Sequence, residues 1–122
     1  KSTDNEIHIN KDHFVNGLKL ASNFSGRTND IKLKTNDGAK VLEIYSANQY
    51  LGDNKYLVPM KLKGKELEEI SFNWRYLLDG LKTLNSENIF FGTNGSAKPS
   101  VIKSLEDDSY HYILMPIKSM GE

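Results

Sequence analysis

The sequence predicts an α+β domain made of two β-α-β-β-β units, with two helices packed side by side on a mainly antiparallel sheet. Three observations predict it. Residues 9–19, INKDHFVNGLK, align without a gap on residues 72–82, FNWRYLLDGLK. Both windows space their apolar residues at helical intervals. Each is followed by three short runs of strand character broken by turn signals.

In chain order, residues 6–10, EIHIN, read as a short strand with Ile7 and Ile9 on one face. A helix follows, on which Phe14, Leu18 and Ala21 form an apolar stripe flanked by Val15. Asn10 suits its N-cap, and Asp12 in the first turn favours the helix dipole. SGRTND at 25–30 ends it. IKLKT then alternates Ile31 and Leu33 with Lys32 and Lys34, and NDG at 36–38 signals a hairpin. KVLEIYSAN is the next strand. KYLVPMKLKG reads as one run with Tyr56, Val58, Met60 and Leu62 on one face, and Pro59 places it at an edge or a bulge because proline cannot donate to a ladder.

The pattern restarts at residue 65. ELEEISFN is a strand, and NWRYLLDGLKTL is a helix that buries Trp74, Leu77, Leu78, Leu81 and Leu84. NIFFGTNG, PSVIKSLED and YHYILMPIK are three more strands. Asn10 matches Asn73, Gly17 matches Gly80 and Lys19 matches Lys82, and IKLKTNDG echoes IFFGTNG. A mid-helix glycine costs about 1 kcal/mol against alanine. Its recurrence at one place in both helices predicts a neighbour too close for a side chain. The internal repeats run from about 6 to 64 and from 65 to 120, within a single domain over 1–122.

The totals exclude several function classes. At 122 residues the chain suits one domain with a real core. It is 38% hydrophobic and 26% charged with zero formal net charge, so composition alone does not announce a nucleic-acid binder. Without cysteine there is no disulfide, thiol catalysis or cysteine-ligated metal. No apolar stretch approaches the roughly 20 residues that span a bilayer. The chain does not begin with methionine, which suggests a piece of something longer. His8, His13 and His111 are scattered without metal-ligand spacing, and no nucleophile elbow, P-loop or dinucleotide fingerprint occurs. Glu66, Glu68, Glu69 and the pair Asp107-Asp108 read as solvated charge; a hydrolase built on clustered carboxylates is a distant alternative. The expectation is no enzyme, no metal and no cofactor.

The closing run poses the functional question. Tyr110, Tyr112 and Leu114 point one way, and Ile113, Met115 and Ile117 the other. One set fills a core. The other either makes this a strand buried on both faces or awaits a partner.

FNWRYLLDGLKTL and the closing YILMPIK resemble the third, C-terminal domain of the bacterial DNA polymerase III β subunit, the sliding clamp. The family pattern is a strand ending in Phe-Asn, a helix of the form xxYLLDxLxxL and a last strand with Met-Pro near its end. The resemblance runs from about Glu6 to Met120. It implies the DNA-clamp (processivity) fold and a non-catalytic role in DNA replication. Two three-domain subunits form a homodimeric ring around duplex DNA, helices inward, and hold the DNA-directed DNA polymerase to its template without regard to sequence. The implied partners are the alpha chain of polymerase III, the clamp loader and other proteins with clamp-binding motifs. The implied location is the bacterial cytoplasm, at the nucleoid.

Residue by residue, the resemblance implies a partner-peptide pocket walled by Ile113, Met115, Pro116, Ile117 and Lys118, with Asn73, Tyr76, Ala97 and Pro99. Its other wall belongs to a preceding domain. Apolar side chains here receive leucine and aromatic anchors, and methionine adapts to different ligands. Tyr76 suits the core or the pocket rim. Lys19, Arg75 and Lys82 are the DNA-facing candidates, and Leu20, Ala21 and Phe24 are the candidates for contact between subunits. The chain departs from the family at Lys118, where arginine is usual, and at Lys98-Pro99-Ser100, where Ser-Pro-Val is common. Its tail also continues past the basic position through Ser119 and Met120. These departures bear on the partner's motif. The alternative is a stand-alone β-rich interaction domain of the same fold that forms no ring.

Overall fold

The computed structural model describes residues 5–23, 30–36, 40–48, 52–67, 69–95, 98–106 and 111–117. The elements are β1 (Asn5–Asn10), α1 (Lys11–Ser22), β2 (Asp30–Asn36), β3 (Val41–Asn48), β4 (Gly52–Pro59), β5 (Lys61–Gly64), β6 (Ile70–Asn73), α2 (Trp74–Lys82), β7 (Asn88–Thr93), β8 (Ser100–Ser104) and β9 (His111–Leu114). Among the described residues no helix is long and apolar enough to cross a membrane.

The strands form two sheets, where the sequence predicts one. The order is β5-β1-β7-β8-β9 in the first and β4-β3-β2-β6 in the second, and the paired strands are antiparallel. Each sheet takes three consecutive strands from one repeat and the opening strand of the other, and β5 extends the first. Thus Ile9 pairs with Ile89 and Asn10 with Asn88, while Phe72 pairs with Ile31 and Asn73 with Asp30. Two repeat-equivalent threonines secure the exchange. Thr93 donates to Asn5 Oδ1 through its hydroxyl at 3.0 Å, and Thr35 accepts from the Leu67 N–H at 3.1 Å. The exchange joins each sheet to a strand whose alternating residues already face the shared core, so neither repeat buries its apolar surface alone.

Two predicted strands are shorter than their apolar runs. KYLVPMKLKG breaks at Pro59: β4 stays in the four-stranded sheet and β5 crosses to pair with β1, with Ile7 opposite Leu62. Proline lacks the N–H that would extend the ladder. Met60 turns out of β4 and donates its N–H to the Lys40 carbonyl at 3.1 Å. In ELEEISFN only Ile70–Asn73 is strand; Leu67 is buried without being part of it.

Both helices start on the predicted caps. The Asn10 side chain accepts from the His13 N–H and Asn73 from the Arg75 N–H, each at 2.9 Å. α1 buries Phe14, Gly17, Leu18 and Ala21, and α2 buries Leu77, Leu78, Gly80 and Leu81. Trp74 is only half-buried at the edge of the core. The helices touch each other, α1 packs on β3 and β4, and α2 packs on β6 and β9. Lys11 ties the pair by donating its ammonium to the Leu84 carbonyl at 2.9 Å. Phe14 and Phe72 each meet the Phe91 ring at a steep angle, with centroid distances of 6.0 and 5.6 Å, in the middle of one continuous core. Burying each such side chain stabilises by about 1.5–3 kcal/mol relative to leaving it in water.

The repeated glycines have the predicted close neighbours. A β-carbon on Gly17 would lie 2.8 Å from Ile44 Cδ1, and one on Gly80 would overlap the Tyr112 ring. The first helix therefore sits tight on its own repeat's β3 and the second on its own β9.

Candidate functional site

The tail is built by alternation and one crossing. β9 is the last strand of its sheet, with Ile102 opposite Tyr112, Val101 opposite Ile113 and Ser100 opposite Leu114. Tyr112 and Leu114 turn inward onto the core. Ile113 turns outward and is 65% exposed; Met115 and Ile117 follow it at 53% and 36%. The core thus takes one parity of the strand, and the other is left as an apolar wall in water.

The wall continues onto the second sheet. Past Pro116 the chain leaves β9 and bridges β6: the Ile117 N–H donates to the Ser71 carbonyl at 2.8 Å. The first repeat ends the same way, where β5 crosses past Pro59 to reach β1. Two residues beyond Ser71 stands Asn73, half-buried and occupied in capping α2. Tyr76, on the first turn of α2, is 57% exposed, so it is not a core residue. Pro99 is exposed immediately before Ser100, the residue opposite Leu114. The sheet crossing therefore brings Ile117 to the strand that leads into Asn73, and Pro99 precedes the residue opposite Leu114 on the same tail.

Pro116 differs from the expectation. It is buried, because the crossing turns it inward between two outward neighbours, so it supports the wall from beneath. Ala97, Tyr110 and Lys118 lie outside the described residues, as do Glu68, Asp107 and Asp108 of the acidic runs. Ser100, named in the sequence only as a departure from the family pattern, is buried, and its hydroxyl has no hydrogen-bond partner among the described residues.

On the helices, Lys19, Arg75 and Lys82 are all exposed, along with Asp12 and Asp79. The Arg75 guanidinium lies over the Trp74 ring, 5.1 Å from its centroid, which holds that cation near the start of α2. Of the interface candidates, Leu20 is 48% exposed, whereas Ala21 is fully buried. Ala21 lies on the core-facing stripe of α1, where its carbonyl accepts from the Ser46 hydroxyl at 2.7 Å, so it offers no surface to a neighbour. Phe24 lies outside the described residues. Leu57, not singled out from sequence, is 56% exposed on edge strand β4 and lines one cleft with Leu20. The alternation of Tyr56 and Val58 inward had marked Leu57 as outward.

Among the described residues no three His, Asp or Glu side chains cluster to hold a metal ion. Glu106 is the one described group with a clear shift. The Ser86 hydroxyl donates to its carboxylate and holds its pKa below the ordinary carboxylate value, helped by backbone groups of Glu87 and Asn88.

The family described as DNA polymerase III beta subunit, C-terminal domain, matches residues 1–118. The beta sliding clamps of Staphylococcus epidermidis and Staphylococcus aureus are each 31% identical over 117 residues, which is 93% of this chain and 30% of each relative. The sliding clamp of Bacillus subtilis superposes with a TM-score of 0.89 at 28% identity, over 98% of this chain and 32% of that one. The DNA polymerase III beta subunit of Thermotoga maritima superposes at 0.90 with 22% identity, a likeness of fold alone. The chain thus spans about a third of the length of the relatives it matches.

Proposed function

The chain belongs to the family of C-terminal domains of the DNA polymerase III beta subunit, and from that premise we propose that it is the partner-docking domain of a replication clamp. The whole protein is a non-catalytic, homodimeric ring in the bacterial cytoplasm. It encircles duplex DNA and tethers the alpha chain of polymerase III, the clamp loader and other motif-bearing proteins. This chain, a single domain over 1–122, supplies one wall of the pocket that binds their peptides and takes no cofactor.

The observation that carries the reading is the apolar wall of Ile113, Met115 and Ile117, exposed on the outward parity of the tail. Exposed side chains of this size, gathered at one corner, suit the leucine and aromatic anchors of a short peptide. Asn73 and Pro99 border the site and Pro116 underlies it, while Ala97 and Lys118 are assigned to it by the family resemblance alone. Lys19, Arg75 and Lys82 supply sequence-independent attraction to phosphates, weakened by salt, while ring closure supplies retention. Leu20 and Leu57, next to the open edge of β4, meet the neighbouring protomer.

A fluorescent peptide with glutamine, leucines and a phenylalanine in the order of a clamp-binding motif tests the site. It is expected to bind saturably, and Met115→Asp is expected to abolish binding. Equal binding by that variant would overturn the assignment.

A further inference from the structure

The first repeat carries a counterpart of the tail's crossing. Counted from the cap asparagines, the two ladders keep step: Asn73 pairs with Asp30, Leu33 with Ile44 and Ile44 with Tyr56, as Asn10 pairs with Asn88, Phe91 with Ile102 and Ile102 with Tyr112. Pro59, Met60 and Lys61 therefore stand where Met115, Pro116 and Ile117 stand. The crossings agree with that count. Lys61 pairs with His8 as Ile117 pairs with Ser71, each two residues before a cap asparagine. Exposure follows position: Pro59 and Lys61 are exposed like Met115 and Ile117, and Met60 between them is the more buried, as Pro116 is. On the helices, Asn10 and His13 are the counterparts of Asn73 and Tyr76. All five counterparts, Asn10, His13, Pro59, Met60 and Lys61, line one cleft of about 600 Å³. Leu105 and Glu106, just past β8, line it too, and Leu105 is 40% exposed.

Resting on the peptide-docking reading above, we propose that this cleft is a second peptide-docking site, for an extended segment with one aliphatic anchor among uncharged polar residues. The occupant is a peptide because the cleft repeats, position for position, residues assigned to peptide docking at the tail. Its chemistry differs where the residues differ. His13 stands for Tyr76 and Lys61 for Ile117, so the apolar lining shrinks to Pro59, Met60 and Leu105 with buried Ile9. That lining suits a single leucine-like anchor instead of leucine and an aromatic together. Met60 lets the lining adapt to the anchor's shape. Lys61 and Glu106 share the cleft, so a charge of either sign on the peptide meets a like charge as well as an opposite one. Uncharged neighbours avoid that conflict, and their binding depends little on salt.

The test is an amide NMR titration of the isotope-labelled chain with two capped peptides. One has a single leucine among glutamines and serines; the other is the motif peptide of glutamine, leucines and a phenylalanine. The single-leucine peptide is expected to shift Asn10, His13, Met60 and Leu105 saturably, and to do so equally in Met115→Asp and at about 0.5 M salt. Leu105→Asp and His13→Asp change exposed positions and are checked for native circular dichroism. Each is expected to weaken binding at the cleft about 5-fold or more. If the motif peptide shifts the tail and neither peptide shifts the cleft, this proposal is overturned and the tail site stands. Shifts at neither place overturn both readings. Shifts at the cleft alone uphold this site and overturn the tail reading. Cleft binding that survives both variants, or that salt abolishes, overturns the proposal. If the same residues shift when the chain is concentrated without peptide, and peptide adds nothing, the occupant is a second copy of the chain and the peptide assignment falls.

Discussion

Tyr112 lays its ring across α2 at Gly80, so close that a β-carbon there would overlap the ring. That contact locks the inward parity of the tail, because the residue that seats β9 on the helix also sends Ile113 outward. Substituting Gly80→Ala adds helix propensity, worth about 1 kcal/mol, but drives a methyl into a rigid aromatic. The expected net loss is about 1–3 kcal/mol in chemical denaturation. Gly17→Ala meets the flexible end of Ile44 instead and should cost less. A stabilised Gly80→Ala protein would contradict this packing.

The alternation of the tail predicts opposite responses from neighbouring residues. Ile113→Asp changes a side chain in water and should move stability by no more than about 0.5 kcal/mol. Leu114→Ala empties a buried site and should cost about 2–5 kcal/mol. Urea melts of the two variants decide it; similar losses for both would mean that Ile113 is packed.

Among the described residues, the crossing from β9 to β6 is tied by one backbone donor, the Ile117 N–H to the Ser71 carbonyl. Ile117→Pro removes that donor while keeping an apolar side chain. It should cost about 0.5–1.5 kcal/mol and weaken peptide binding by loosening the wall. Retained stability together with retained binding would show that the bridge plays no part in either.

Acid should act at the Ser86–Glu106 contact. The folded carboxyl has a depressed pKa, so its contribution is fully present above the unfolded carboxylate value. It is lost as pH falls through the lower folded one. Ser86→Ala removes the largest cause and should flatten this acid-side dependence, which a titration of Glu106 followed by NMR in both proteins would reveal. Because the group is exposed, the effect on the melting curve should be small.

Much of the site was written in the order of residues. The parity of YHYILMPIK separates Ile113, Met115 and Ile117 from Tyr112 and Leu114, and the core respects it. The caps at Asn10 and Asn73 and the two close-packed glycines were legible for the same reason: each depends on a local geometry that residue type and spacing specify. For Ala21 the helical spacing, which put it on the apolar stripe, agrees with the structure, and the interface role carried over from the resemblance does not, because its side chain is spent on the core.

What the order of residues determined by itself was which segments are helix or strand and which face of each is apolar, since both follow from short-range sterics and periodicity. Only the tertiary structure decided that the opening strands change partners between repeats and that Pro59 and Pro116 mark crossings from one sheet to the other. Those outcomes come from pairings between residues about 40 to 90 positions apart, such as Asn5 with Thr93 and Ser71 with Ile117. Hydrogen bonding along a strand edge is nearly blind to side-chain identity, so the choice among edges is made by the core that all the strands must cover together.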